Sequence, residues 1–254
     1  MKQGTFILMF LLLATGIIQT GFVDAAESDA PELSALSDAE LDTLEAAVVQ
    51  AEDVEAIKRL THIFGYYRDN FMQEEMLALF SEDAVVDYAG GQYLGKTSIR
   101  RLFGSDAYKP ASIVGSTGPQ AGVLNDHILM QHVITLADDG LTANGRFKDW
   151  NMQAEAGVSA AISTGTYENQ YVKENGIWKI SAMAYCTRYE RPYYSGLREL
   201  QENPRSFRVP TFYPDDPDGP DKQSNVACHV YPDVGINPPF HYPHAVTGEI
   251  IQKP

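Results

Sequence analysis

Two histidines and a scatter of tyrosines carry most of the chemistry available to this sequence. His127 and His132 lie among Ile128, Leu129, Met130, Val133 and Ile134. A ring that titrates near neutral pH inside an apolar strand is either a core histidine with one hydrogen bond or a working base. Alternation along a regular strand places His127, Leu129, Gln131 and Val133 on one face. Ile128, Met130, His132, Ile134 and Leu136 fall on the other. The two histidines are thus expected to do different work: His132 belongs to the core or to a subunit interface, and Gln131 shares the face of His127. Tyr88 and Tyr167 carry hydroxyls that stabilise a developing oxyanion in a dry pocket, or merely pack with a satisfied hydroxyl. Arg146 suits either an anionic substrate group or a surface ion pair. His229, His241 and His244 are loosely spaced and lack a carboxylate or cysteine set, so no metal is expected. Cys228 beside His229 reads as a disulfide or buried thiol rather than a nucleophile. No phosphate loop is present, and no cofactor is implied.

The elements that must position these residues are legible in the same way. Gly122–Trp150 reads as two strands joined at Asp138-Asp139-Gly140, a strong hairpin signal. A second strand pair, Ala160–Lys173 and Ile177–Arg188, turns at Glu174-Asn175-Gly176. Upstream, Ser37-Asp38-Ala39-Glu40 fits a capping box. Apolar residues then follow at helical spacing from Leu41 to Tyr67, giving one long helix or two in line broken near Gln50–Asp53. Further helices are expected over Glu74–Phe80 and Thr97–Phe103, with a short strand over Ala84–Tyr88 between them and a long loop over Gly104–Gly122. Helices first and consecutive antiparallel strands afterwards make an α+β domain over residues 37–190. Beyond it, residues 191–254 hold eleven of the 14 prolines together with several aromatics, so an extended arm packing over the domain or a neighbouring subunit is expected.

The totals exclude some partners. A net charge of −15 argues against nucleic acid, which needs a basic face. Lys2, the apolar run from Phe6 to Ile18 and the small residues ending at Ala25 have the three parts of a secretory signal over residues 1–25, followed by a linker over 26–36. The apolar run is shorter than the ~20 residues of a spanning helix. An exported protein is therefore expected, and an oxidising compartment makes a Cys186–Cys228 bridge an open possibility.

Several of these residues together carry a family pattern. Glu55-Ala56-Ile57, then Phe80-Ser81-Glu82-Asp83-Ala84-Val85-Val86-Asp87-Tyr88, then Gly95, His127 and Gly165-Thr166-Tyr167 before Gly176-Ile177-Trp178-Lys179-Ile180 resemble the SnoaL-like families of the nuclear transport factor 2-like superfamily. The sequence is similar there to scytalone dehydratase, a bile acid dehydratase and hexachlorocyclohexane dehydrochlorinase. The resemblance implies a cone of helices laid into a strongly curved antiparallel sheet. It also implies a deep apolar pocket for a small apolar or polycyclic molecule, and a homodimer or homotrimer. By the same likeness Asp69 and His127 form a proton-abstracting pair, Tyr88 aids the leaving group, and Phe64 stands at a pocket position of the first helix with Tyr67 nearby. Gln131, Arg146 and Tyr167 join the candidate lining by their residue types and strand positions. A second polar pocket residue of the dehydratases falls near Gly145-Arg146. A carboxylate bonded to one ring nitrogen fixes the tautomer and stabilises the imidazolium formed when the other nitrogen takes a proton. The expected activity is that of a cofactor-independent lyase or isomerase. The fold also hosts non-catalytic ligand-binding or assembly modules, since function lives in the site.

Overall fold

The computed structural model describes residues 36–106, 109–196, 210–233, 235 and 238–251. The expected signal peptide, the linker as far as residue 35 and part of the Pro-rich arm lie outside the described residues. By its contacts the chain divides after Asp42. Of the first unit, residues 36–42 hold the capping box: Glu40 Oε2 accepts from the Ser37 amide at 2.8 Å and from its hydroxyl at 2.7 Å.

The helical spacing resolves into one unbroken helix, α1 (Asp38–Asp69). Then come α2 (Gln73–Ala78), β1 (Phe80–Tyr88), β2 (Gly91–Leu94) and α3 (Gly95–Gly104). Four long strands follow: β3 (Val123–Leu136), β4 (Thr142–Glu155), β5 (Ser159–Glu174) and β6 (Ile177–Pro192). A two-residue strand, β7 (Lys222–Gln223), completes a seven-stranded sheet of order β3-β4-β5-β6-β1-β2-β7. Every pairing is antiparallel except β1 with β6, which is parallel, so the curved, unclosed sheet is mixed rather than purely antiparallel. Phe80, expected to end α2, opens β1 and pairs with Ile180.

Three contacts seat α1 on the sheet. Asp53 accepts from Lys173 Nζ at 2.7 Å and from Trp178 Nε1 at 2.8 Å, which binds α1 to β5 and β6. Thr61 and Tyr171 share a buried hydroxyl–hydroxyl bond of 2.7 Å. Nearer the helix end Phe64, 1 % exposed, stacks edge-on against Phe80, Phe103 and Tyr167 at the centre of the core.

The hairpin departs from regular alternation at one point. Met130 pairs with Lys148, but Val133 pairs with Arg146, so Gln131 and His132 together oppose Phe147. Gln131 takes φ of +50° at this bulge. One extra residue reverses the facing of everything after it. His132 therefore turns to the side of His127 instead of the opposite side, with its ring 5.9 Å from Phe147 and 6.2 Å from His62. It is exposed there and does not join the core.

Particular residues beyond Pro192 contact the domain. Cys186 of β6 is bonded to Cys228 across a separation of 42 residues. Asp221 accepts from Arg101 of α3 at 2.6 Å, and β7 pairs with β2.

Candidate functional site

Asp69 ends α1 and meets the free edge of β3. One oxygen, Oδ1, accepts both from the backbone N–H of His127 and from its Nδ1, each at 2.8 Å. Asn125 strengthens the junction by donating to the Arg68 carbonyl at 3.1 Å. Because Nδ1 faces a carboxylate it carries the proton, and in a neutral ring Nε2 is then an acceptor. It accepts from Asn151 Nδ2 at 2.8 Å, from the residue directly opposite on β4. The imidazole is buried, its side chain 1 % exposed.

The neighbouring rows of the sheet add a second polar group. Asp149, fully buried two residues before Asn151 on the same face of β4, accepts from the Tyr185 hydroxyl at 2.7 Å. Tyr185 belongs to β6 and reaches Asp149 across Gly165 of β5. A Cβ on Gly165 would sit 2.5 Å from the Tyr185 ring, so only glycine leaves this passage open. Tyr88 of β1 stacks on Tyr185 with ring centres 5.8 Å apart. Arg68 lies 5.8 Å from the Tyr88 ring centre and donates to the Tyr167 hydroxyl at 2.9 Å.

Some of these groups border a cavity of about 320 Å³. Arg68, Tyr88, Asn151 and Tyr185 line it, together with an apolar wall that includes Met76, Leu102, Phe103 and Val123. Gln153, Glu155 and Glu190 make the rest of the lining polar, so the cavity is amphipathic rather than simply apolar. Asn151 stands at its wall, with His127 and Asp69 in line behind.

Burial decides the charges. It lowers the His127 imidazolium to about 3, and the nearby Arg68 cation acts in the same direction, while Asp149 opposes both. It raises the Asp69 carboxyl to about 6 against the His127 amide bond and Arg68. Asp149 is also pushed up by burial, against His127, Tyr185 and Arg68. At neutral pH the pair is thus a carboxylate and a neutral imidazole. Two buried oxygens on this face, Asp149 Oδ1 and Asn151 Oδ1, have no hydrogen-bond partner among the described residues.

A model of the SnoaL-like domain matches residues 49–184, more than half of the chain. The chain belongs to the SnoaL-like family. No curated protein matches it. Several solved structures are similar to it. One is a putative scytalone dehydratase from Novosphingobium aromaticivorans at 20 % identity, covering 61 % of this chain and 93 % of that one, with a TM-score of 0.48. A hexachlorocyclohexane dehydrochlorinase, LinA type 3, from Novosphingobium barchaimii LL02 has 15 % identity, 61 % and 99 % coverage and a TM-score of 0.49. A nuclear transport factor 2-like protein with a cystatin-like fold, also from N. aromaticivorans, has 17 % identity, 58 % and 89 % coverage and a TM-score of 0.48.

Of the residues expected at the site, the structure brings Asp69, His127 and Tyr88 to one region and disperses most of the rest. Phe64 is sealed in the core, where it fills space between helix and sheet. Tyr67 packs against that core and is not part of the cavity lining. Tyr167 is 1 % exposed and holds Arg68 instead of reaching the cavity. The bulge turns Gln131 outward, so it leaves the face of His127. Arg146 lies on the opposite face of β4, paired with Glu168 at 2.8 Å and donating to the Pro238 carbonyl at 2.9 Å. The polar β4 residues of the site are Asp149 and Asn151, not Gly145-Arg146. Gly145 lies under the Tyr171 ring, where a Cβ would come within 2.8 Å.

Four residues escaped the sequence reading: Arg68, Asp149, Asn151 and Tyr185. Asn151 was out of reach, because the register at the turn, which pairs Leu136 with Ala143, would oppose His127 to Met152, and only the bulge at Gln131 brings Asn151 there. The tail histidines do not converge. His229 faces Asp233, His241 faces Glu168, and His244 accepts from the amides of Val246 and Thr247.

Proposed function

We propose that this SnoaL-like protein is a cofactor-independent lyase or isomerase in which His127 is the general base. The observation that carries the reading is the buried chain Asp69–His127–Asn151 running from a helix end to a cavity wall. Asp69 holds Nδ1–H, which leaves the Nε2 lone pair aimed toward Asn151 and the cavity. A substrate that displaces the Asn151 amide exposes this lone pair. The C–H bond then breaks, its proton passes to Nε2, and its electron pair either expels a leaving group or moves onto an adjacent carbonyl oxygen. Asp69 stabilises the imidazolium so formed. Tyr88 with Arg68 beside it steadies the developing negative charge, which is worth most where water is excluded. The protein is proposed to act after export; the Cys186–Cys228 bond, at home in an oxidising compartment, supports this. By its family likeness it is also proposed to be a homodimer or homotrimer.

One observation favours a second reading, a ligand-binding module without catalysis: the Asn151 amide already occupies Nε2. The two readings part on substitution. With a compound that the wild type eliminates or isomerises, His127→Ala and Asp69→Asn are each expected to lower kcat by about 100-fold or more, the usual share of a positioned base. Turnover unchanged in both variants would remove His127 from the chemistry.

A further inference from the structure

We infer that the cavity takes an organic monoanion of one- or two-ring size, its carboxylate or enolate oxygens held by Arg68 and its body laid on the apolar wall. This deepens the reading of the cavity as the substrate site and rests on it.

Arg68 stands in the last turn of α1, half-buried and facing the cavity. Its contacts are neutral: a hydrogen bond to the Tyr167 hydroxyl and the Tyr88 ring face. Arg101 and Arg146 have carboxylates, Asp221 and Glu168, and Arg188 is held by the carbonyls of His229 and Asp233. No described carboxylate pairs with Arg68. Burial works against its charge, and Tyr167, Tyr88, Asp149 and Tyr185 together outweigh that and keep it protonated. Asp149 and Asp69 act on the cation without an ion pair to it, since Asp149 accepts from Tyr185 and Asp69 from His127. A guanidinium offers five donors in a rigid fork that matches two oxygens of one planar anion. With no carboxylate in direct contact, the guanidinium has donors to spare on its cavity side, and an entering oxyanion takes them.

The remaining lining sets size and charge. A volume of about 320 Å³ is at the small end of ligand pockets. Lys109, the other lining cation, is already bound to Asp106 at 2.7 Å. Glu155 also lines the cavity, about 13 Å from Asn151 along β4 at ~3.3 Å per residue. A second negative group on the ligand would meet Glu155 or Glu190, which selects a single charge. The net charge of −15 repels anions at long range, so the preference arises at contact and resists added salt.

Calorimetric titration of the folded protein with 2-naphthoate and with its neutral isostere 2-naphthamide tests this. The carboxylate is expected to bind at least ~10-fold more tightly, as a charge-assisted bidentate contact allows. Arg68→Met is expected to erase the difference, and His127→Gln, which leaves Arg68 in place, to keep it. Equal affinities in the wild type, absence of carboxylate binding, or a preference that survives in Arg68→Met would overturn the proposal. The wild-type comparison needs no variant to fold. If the preference holds while no compound is turned over, proton transfer falls and anion recognition stands.

Discussion

At His127 one nitrogen is fixed and the other is held in reserve. Asp69 binds both the ring and the backbone of the same residue, and the imidazole cannot rotate without losing its bonds to Asp69 and Asn151. An aspartate closing a helix sits at the negative end of the helix dipole, a locally unfavourable place. Such conflicts between local preference and position are expected where function requires them. The pH dependence follows from the two shifts. His127, lowered to about 3, stays neutral throughout the usual range, and Asp69, raised to about 6, is the group that titrates. In the proposed mechanism the competent form needs the Asp69 carboxylate, so activity is expected to rise with pH through about 6 and to have no separate limb near 6.5 from a free histidine. The apparent value belongs to the pair. A pH–rate profile checks it; an acid limb that persists unchanged in Asp69→Asn would assign it elsewhere. His127 and Asp69 were legible because the family pattern fixes their order. Arg68 was not, since an arginine beside a helix end looks like any solvated cation until the fold turns it inward.

The strands decide which residues share a face, and here a sequence can be read only where its turns declare the register. Asp138–Gly140 and Asn175–Gly176 did so, and the hairpins fall where those turns place them. The bulge at Gln131 had no such marker. Glutamine rarely takes positive φ, so nothing in the local chemistry announces it. The consequence was large: Gln131 leaves the site face and His132 enters it. Gly165 presents the opposite case, a conspicuous residue whose reason is visible only in three dimensions. Gly165→Ala would drive a methyl into the Tyr185 ring, 2.5 Å away, and a stacked aromatic cannot yield easily. A loss of about 1–3 kcal/mol in urea unfolding is expected from overpacking of this kind, together with displacement of Tyr185 from Asp149. Unchanged stability would mean that the β4–β5–β6 rows are looser than drawn.

On the scale of the whole molecule, the helices-then-strands order was enough for the α+β class, and the family pattern for the curved sheet. The parallel β1–β6 pairing was not legible, because it joins segments distant in sequence and no turn connects them. The Pro-rich stretch reads as irregular from composition alone, but its attachment depends on Cys228 and Asp221 meeting β6 and α3. The disulfide closes a loop with a sequence separation of 42. Replacing both cysteines with alanine is expected to cost about 4 kcal/mol by loop entropy, read as a lower denaturation midpoint in the absence of reductant. A variant as stable as the wild type would show that the noncovalent contacts of this segment suffice.

In the proposed mechanism His127 is a neutral base whose Nε2 is directed at the cavity. The nitrogen-15 spectrum of His127, followed from about pH 5 to 8 where histidines ordinarily titrate, tests it most directly. A proton on Nδ1 and none on Nε2 is expected throughout, with the Nε2 resonance shifting when 2-naphthoate fills the cavity and displaces Asn151. A ring protonated on Nε2, an imidazolium at neutral pH, or an Nε2 indifferent to the bound ligand would contradict it.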